Sequence, residues 1–161
     1  MTEAEVVRRM MTEELWVGVL SWRNDPLVYR WTRTNRSITL SEHTTWFETR
    51  KQTLDQEPVF AYFINKCFVG MARLDKLADD NYEVSLVLNP KHRGRGYGKI
   101  ILHDICKYFL TNMPTKSKLM AVVHYQNSVS ERLFLGLGFA LLYRESPFNT
   151  FVFRDSVTGS L

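Results

Sequence analysis

The chain has 161 residues, 45% of them apolar and 24% charged, the balance of one soluble globular domain spanning residues 1–161 and long enough to bury a core. Its net charge of +4 is mild, and without a nucleic-acid-binding motif it calls for no nucleic-acid partner. No apolar run reaches the roughly 18 residues of a membrane span. The acidic start Met1-Thr2-Glu3-Ala4-Glu5 leads into no apolar signal-peptide region, so a cytoplasmic protein without a membrane partner is expected.

Val6 to Met10 reads as a first edge strand. Thr12 is an N-cap, with Glu13 and Glu14 suited to the positive end of a helix. Leu15, Trp16, Val19, Leu20 and Trp22 recur at helical spacing until Asn24-Asp25-Pro26 stops the helix. Ser41 is read as the cap of a second helix running through His43, Trp46 and Phe47. Val59 to Ile64 and Cys67 to Leu74 form a hairpin about Asn65-Lys66. Ala78 to Asn81 is a turn. Tyr82 to Leu88 is a strand whose apolar end, Leu86-Val87-Leu88, suggests burial on both faces. Asn89-Pro90 ends it. After a glycine-rich turn, Ile100, Ile101, Ile105, Tyr108, Phe109 and Leu110 make one helical stripe, with Pro114 beyond its end. Leu119 to His124 is a further strand, Asn127 to Leu137 a helix closed by Gly138, and Phe139–Tyr143 with Thr150–Arg154 a hairpin around Pro147. Cys67 and Cys106 stand in no metal or redox spacing and read as buried reduced thiols; no metal site is expected.

The chemistry concentrates at Arg93-Gly94-Arg95-Gly96-Tyr97-Gly98-Lys99. Strand, glycine-rich turn and helix follow one another here, and Lys91 and His92 add to the basic cluster. Glycines let backbone approach a ligand, while the unpaired N–H groups and dipole of a helix start favour an anion. The spacing is neither that of a P-loop nor G-x-G-x-x-G. About 30 residues on comes Asn127, then a helix ending in Leu137-Gly138-Phe139.

On these two motifs, in this order and on these elements, the sequence resembles the GNAT superfamily of N-acetyltransferases over roughly residues 5 to 155. The resemblance implies an α/β (α+β) fold: a mixed sheet of six to seven strands flanked by about four helices. It implies acetyl-coenzyme A as cofactor, its pyrophosphate on Arg93–Lys99. The pantetheine arm would lie between splayed strands at Leu86-Val87-Leu88 and Ala121-Val122-Val123, with Asn127, Ser130 and Phe134 beside it. Asn127 also reads as the cap of its own helix. Glu83 falls near where several members carry a catalytic glutamate. Their late-helix tyrosine, the usual acid toward the thiolate, is Phe134 here and cannot donate a proton. Tyr125 and Ser130 are its neighbours by sequence, and His43 is a further candidate proton carrier.

Trp22-Arg23-Asn24-Asp25-Pro26, then Trp31 and His43-Thr44-Thr45-Trp46-Phe47, resemble the GNAT subgroup that acetylates 4-amino sugars on nucleotide carriers, as in pseudaminic acid biosynthesis. Arg30, Trp31 and Trp46 are the acceptor candidates, aromatic faces for stacking and guanidinium groups for a diphosphate offered also by Arg23, Arg33 and Arg36. A small-molecule amine is therefore the expected partner. An acetyltransferase of ribosomal-protein or peptide N-termini, a non-catalytic acyl-CoA-binding module and assembly as a homodimer stay open.

Overall fold

The computed structural model describes residues 4–155; Met1-Thr2-Glu3 of the acidic start and residues 156–161 lie outside the described residues. In chain order the elements are β1 (Val6–Met10), α1 (Glu13–Arg23), α2 (Pro26–Tyr29), α3 (Leu40–Arg50), β2 (Val59–Ile64), β3 (Cys67–Lys76), β4 (Tyr82–Leu88), α4 (Tyr97–Asn112), β5 (Leu119–His124), α5 (Ser128–Gly136), β6 (Phe139–Glu145) and β7 (Phe148–Phe153). The strands form one sheet of order β1-β2-β3-β4-β5-β7-β6. This is the mixed α/β architecture that the resemblance implied, with five α-helices where about four were expected; the extra one, α2, is a single turn.

Local chemistry explains most boundaries. The Thr12 hydroxyl accepts from the Leu15 amide, and the Asp25 carboxylate caps α2 through Leu27. Thr39, not Ser41, caps α3 by accepting from the Glu42 amide; Ser41 lies inside the first turn. The β2–β3 turn holds Asn65 and Lys66 at φ 49° and 68°, the left-handed pair that matches strand twist in a two-residue hairpin.

The sheet has two covered faces. Along β2 the alternation sends Val59 and Ala61 to one side, where they meet Trp16, Val19, Trp22 and Phe47 of α1 and α3. Phe60, Tyr62 and Ile64 face the other side and pack on α4 and α5 residues. The buried stripe of α4 is Ile101, Leu102, Ile105, Cys106 and Phe109. Leu110, placed in that stripe from sequence, is 45% exposed, because it lies one position past the core-facing turn. Cys106 is buried, and desolvation pushes its thiol up to about 12; Cys67, read as buried, is exposed at the hairpin. At Gly70 a Cβ would come 2.7 Å from Ile101 Cδ1, so the glycine sets how closely α4 approaches β3.

One pairing is short. β4 and β5 run parallel but share register only at Tyr82↔Leu119 and Glu83↔Met120. Beyond Glu83, β4 keeps its β3 partners through Leu88, and β5 keeps β7 through His124. The two strands part, and a cleft opens between them.

Leu102→Ala is expected to lower stability by about 2–5 kcal/mol, whereas Leu110→Ala should stay within about 0.5 kcal/mol of the parent. Urea denaturation followed by circular dichroism reads both.

Candidate active site

The cleft beside the parted strands has a volume of about 890 Å³. β4 contributes Glu83 to Leu88 to its wall, and Val122 to His124 come from β5. Leu86, Val87 and Leu88 are half-buried rather than covered on both faces, since the face they would have buried against a neighbouring strand lines the cleft instead.

At one end of the cleft stands the glycine-rich turn. Gly94 and Gly96 hold φ of 76° and 79°, and a Cβ on either would meet nothing within 4 Å. These glycines are demanded by backbone conformation, and open space lies in front of them. Gly96 precedes α4, and no side chain caps that helix start. Exposed left-handed backbone, uncapped N–H groups and adjoining cations suit a pyrophosphate. Gly98 is buried, and a Cβ there would sit 3.6 Å from both Leu88 and Leu133. Arg93 lines the cleft but is already paired with Asp25 at 3.1 Å, a tie between the turn and the start of α2. Gly94 and Gly98 also line the cleft, whereas Arg95, Gly96, Tyr97 and Lys99 do not. Asn127 caps α5 by accepting from the Ser130 amide and donates to the Ser130 hydroxyl at 3.1 Å. Asn127, Ser130 and Phe134 all reach the cleft wall; Phe134 is buried edge-to-face against Phe139.

The other end is built by residues 23–46. Arg23, Arg30, Trp31, Arg33 and Trp46 all line it. Asn24 exchanges two 2.8 Å hydrogen bonds with the backbone of Ile38, which ties the irregular stretch after α2 to the end of α1. Arg30 stacks on Trp31, and Trp31 lies 4.9 Å from the His124 ring. Trp46 is clamped between Arg50 and Arg73, whose guanidinium carbons lie 4.5 and 4.7 Å from its ring centroid. Asp75 pairs with both arginines. Phe47, a stacking candidate by sequence, is 2% exposed and belongs to the core under α1 and α3. Arg36 is paired with Glu42.

The candidate proton carriers separate. Glu83, with 13% of its side chain exposed, is paired with Arg33, which raises the Arg33 pKa chiefly through the hydrogen bonds from its guanidinium to that carboxylate. His43 is buried, stacked on Trp16 at 4.2 Å. Its Nε2–H donates to the Trp16 carbonyl, and the Trp16 indole donates to the His43 carbonyl. This reciprocal pair fastens α3 to α1. Desolvation lowers the His43 pKa, opposed by the Trp16 hydrogen bond. Tyr125 is half-exposed, stacked on His124, and not part of the cleft wall. Sequence reasoning missed Arg73, Leu133 and Phe148 in the wall; their periodicity marks them only as helix or strand residues.

A family model described as an acetyltransferase (GNAT) domain matches residues 6–140. The chain belongs to the GNAT acetyltransferases. The acyl donor of this family is acetyl-coenzyme A. No curated protein matches the chain. Among solved structures, yncA from Salmonella typhimurium, a putative acetyltransferase with its cofactor acetyl-CoA, is similar at 19% identity and TM-score 0.72, over 94% of this chain and 95% of that one. AAC(6')-Ib in complex with ribostamycin and coenzyme A is 16% identical at TM-score 0.80, over 97% of each chain. Campylobacter jejuni N-acetyltransferase PseH with acetyl coenzyme A is 17% identical at TM-score 0.72, over 94% of this chain and all of that one. Among the described residues no helix is long and apolar enough to cross a membrane, and no three metal-ligating side chains group together.

Two outcomes follow. Gly96→Val strains a left-handed residue and fills the space before the helix start, so coenzyme A affinity should fall about tenfold or more while the fold holds; calorimetry and circular dichroism measure each. Burial lowers the His43 pKa on folding, so below about pH 6.5 the unfolded chain binds that proton more readily than the folded one. Stability should therefore fall as pH drops below that value, and His43→Gln should flatten this slope in urea midpoints.

Proposed function

We propose that the protein acetylates the primary amine of a nucleotide-linked amino sugar, with Glu83 as general base. The carrying observation is the acceptor end of the cleft, where Arg23, Arg30 and Arg33 stand beside the indoles of Trp31 and Trp46. Guanidinium groups suit a diphosphate and indole faces suit a base or sugar ring. The segment carrying Leu27 to Thr34 forms a wall of this space, which supports a small acceptor over a peptide lying in an open groove. AAC(6')-Ib, solved with ribostamycin and coenzyme A, holds a small molecule together with the cofactor on the same fold, which supports the same choice.

Acetyl-coenzyme A, when bound, supplies an activated thioester carbonyl. Gly94 to Gly98 and the start of α4 would hold its pyrophosphate. The edges of Leu86–Leu88 and Val122–Val123 exposed by the strand parting would take the pantetheine amides, with Asn127 and Ser130 alongside. Glu83 sits where the cleft meets a second space of about 450 Å³, which it lines together with Arg33, Val122 and Phe148. An acceptor entering there brings its amine to the Glu83 carboxylate, which takes the proton released as nitrogen bonds to the acetyl carbon. Ser130 supplies a hydroxyl within the cleft toward the thiolate side, where Phe134 cannot donate.

A sugar-ring amine is less basic than a lysine amine, whose reference pKa is about 10.4. Base assistance still contributes about 10²- to 10⁴-fold. Glu83→Gln should lower turnover within that range and leave coenzyme A affinity intact. The deficit should shrink between about pH 6 and pH 9 as free amine accumulates. Thiol release with nucleotide amino sugars and with peptides bearing a free N-terminus reads this. Faster turnover of peptides would reject the acceptor, and full activity of Glu83→Gln at every pH would reject the base.

A further inference from the structure

The candidate base is covered. Both oxygens of the Glu83 carboxylate accept from one guanidinium: Arg33 Nη2 donates to Oε1 at 2.9 Å and Nη1 to Oε2 at 3.2 Å. The partners differ in setting. Glu83 is held by β4 with 13% of its side chain exposed, and Arg33 projects from an irregular segment with 61% exposed. The pair stands at the wall between the two spaces and lines both. In the smaller space Arg33 is the one cation among the described lining residues, with Glu83 and Glu145 as the carboxylates. The Arg33 guanidinium also lies 6.0 Å from the Phe148 ring centroid, which gives it a second surface to rest on.

This arrangement discriminates between acceptors. A plain amine, mostly an ammonium ion at neutral pH, meets a fixed cation in front of the carboxylate it needs, and like charges repel. Neither Glu83 oxygen is free of a donor. An acceptor that also carries a carboxylate or phosphate offers Arg33 the same two-pronged geometry it finds on Glu83. It does so from the exposed side, where the guanidinium can turn without disturbing β4.

We propose that Arg33 is a latch on Glu83 which an oxyanion on the acceptor opens, so that the protein selects amines bearing a carboxylate or phosphate. The inference rests on Glu83 acting as base. Arg33 then holds the acceptor's oxyanion and frees Glu83, and takes no part in the bonds that change.

The test uses three matched sugar amines: glucosamine, glucosamine 6-phosphate and muramic acid, which carry no acid, a phosphate and a carboxylate. Thiol release from acetyl-coenzyme A gives kcat/KM for each. In parallel titrations of the full chain, and with inorganic phosphate alone, the Arg33 Nε–H signal is followed by NMR. The expected result is a preference of about tenfold or more for an acid-bearing amine over glucosamine, with the Arg33 signal moving in the same titration. The arm that responds identifies phosphate or carboxylate as the opening group. Arg33→Gln should bring the preference close to one, partly by improving glucosamine, with coenzyme A affinity unchanged; Arg33→Lys should fall between. A merely structural Arg33 would lower all three substrates together. An Arg33 signal unmoved by both acidic sugars and by inorganic phosphate at about 10 mM overturns the latch, as does a preference that survives Arg33→Gln. Movement of Arg33 without thiol release from any amine would uphold the latch and reject the amino-sugar acceptor.

Discussion

Everything about the cleft depends on how briefly β4 and β5 stay together. Two parallel strands normally continue to exchange hydrogen bonds for as long as both are extended. Here they hold register at two residue pairs and then separate. Each keeps its outer neighbour, so the sheet is not weakened on either side of the gap. The freed inner edges carry backbone donors and acceptors that require partners, and a peptide-like arm laid between them would provide those bonds in strand-like fashion. The parting thus creates both the space and the reason to fill it.

What surrounds the gap keeps it in place. Gly70 lets α4 settle against β3, with Ile101 where a side chain would otherwise stand. This brings the helix start, and the glycine-rich turn before it, to the mouth of the gap. On the opposite face α1 and α3 are locked by the Trp16–His43 exchange of hydrogen bonds, and Arg93–Asp25 joins the turn to that layer. The two ends of the cleft are consequently braced against each other.

Local signals were legible in the sequence. Thr12, Asn65-Lys66 and the glycines at 94 and 96 each dictate a short-range backbone geometry, so the elements they bound were readable. The glycine-rich turn before α4 was readable for the same reason. Elements without a local signature were not. α2 has four residues, too few to show periodicity. Thr39 and Ser41 are both able caps, and the choice between them was made by the length of α3. The ends of the α4 stripe also misled, because Leu102 and Leu110 are equally apolar and only the packed sheet tells them apart. Arg33 was visible as one arginine among several, but its engagement with Glu83 spans fifty positions and is a product of the fold. His43 has two sides: it lines the cleft, and its stacking and carbonyl partner also make it a fastening between α1 and α3.

The cleft residues from Arg23 to Trp46 come from one contiguous stretch between β1 and β2. The strand edges, the turn and α5, which shape the donor end, come from the rest of the chain. The stretch between β1 and β2 is one covalent piece, so replacing it would rework its own end of the cleft and leave the strand edges, the turn and α5 in place. The exchange is not unconstrained. An incoming stretch must still match side chains it does not supply: an acid for Arg93, a cation for Glu83 and Phe148, and aromatic faces for His124 and Arg73. Chimeras that lose the acid at position 25 would leave the glycine-rich turn without its tie to that stretch.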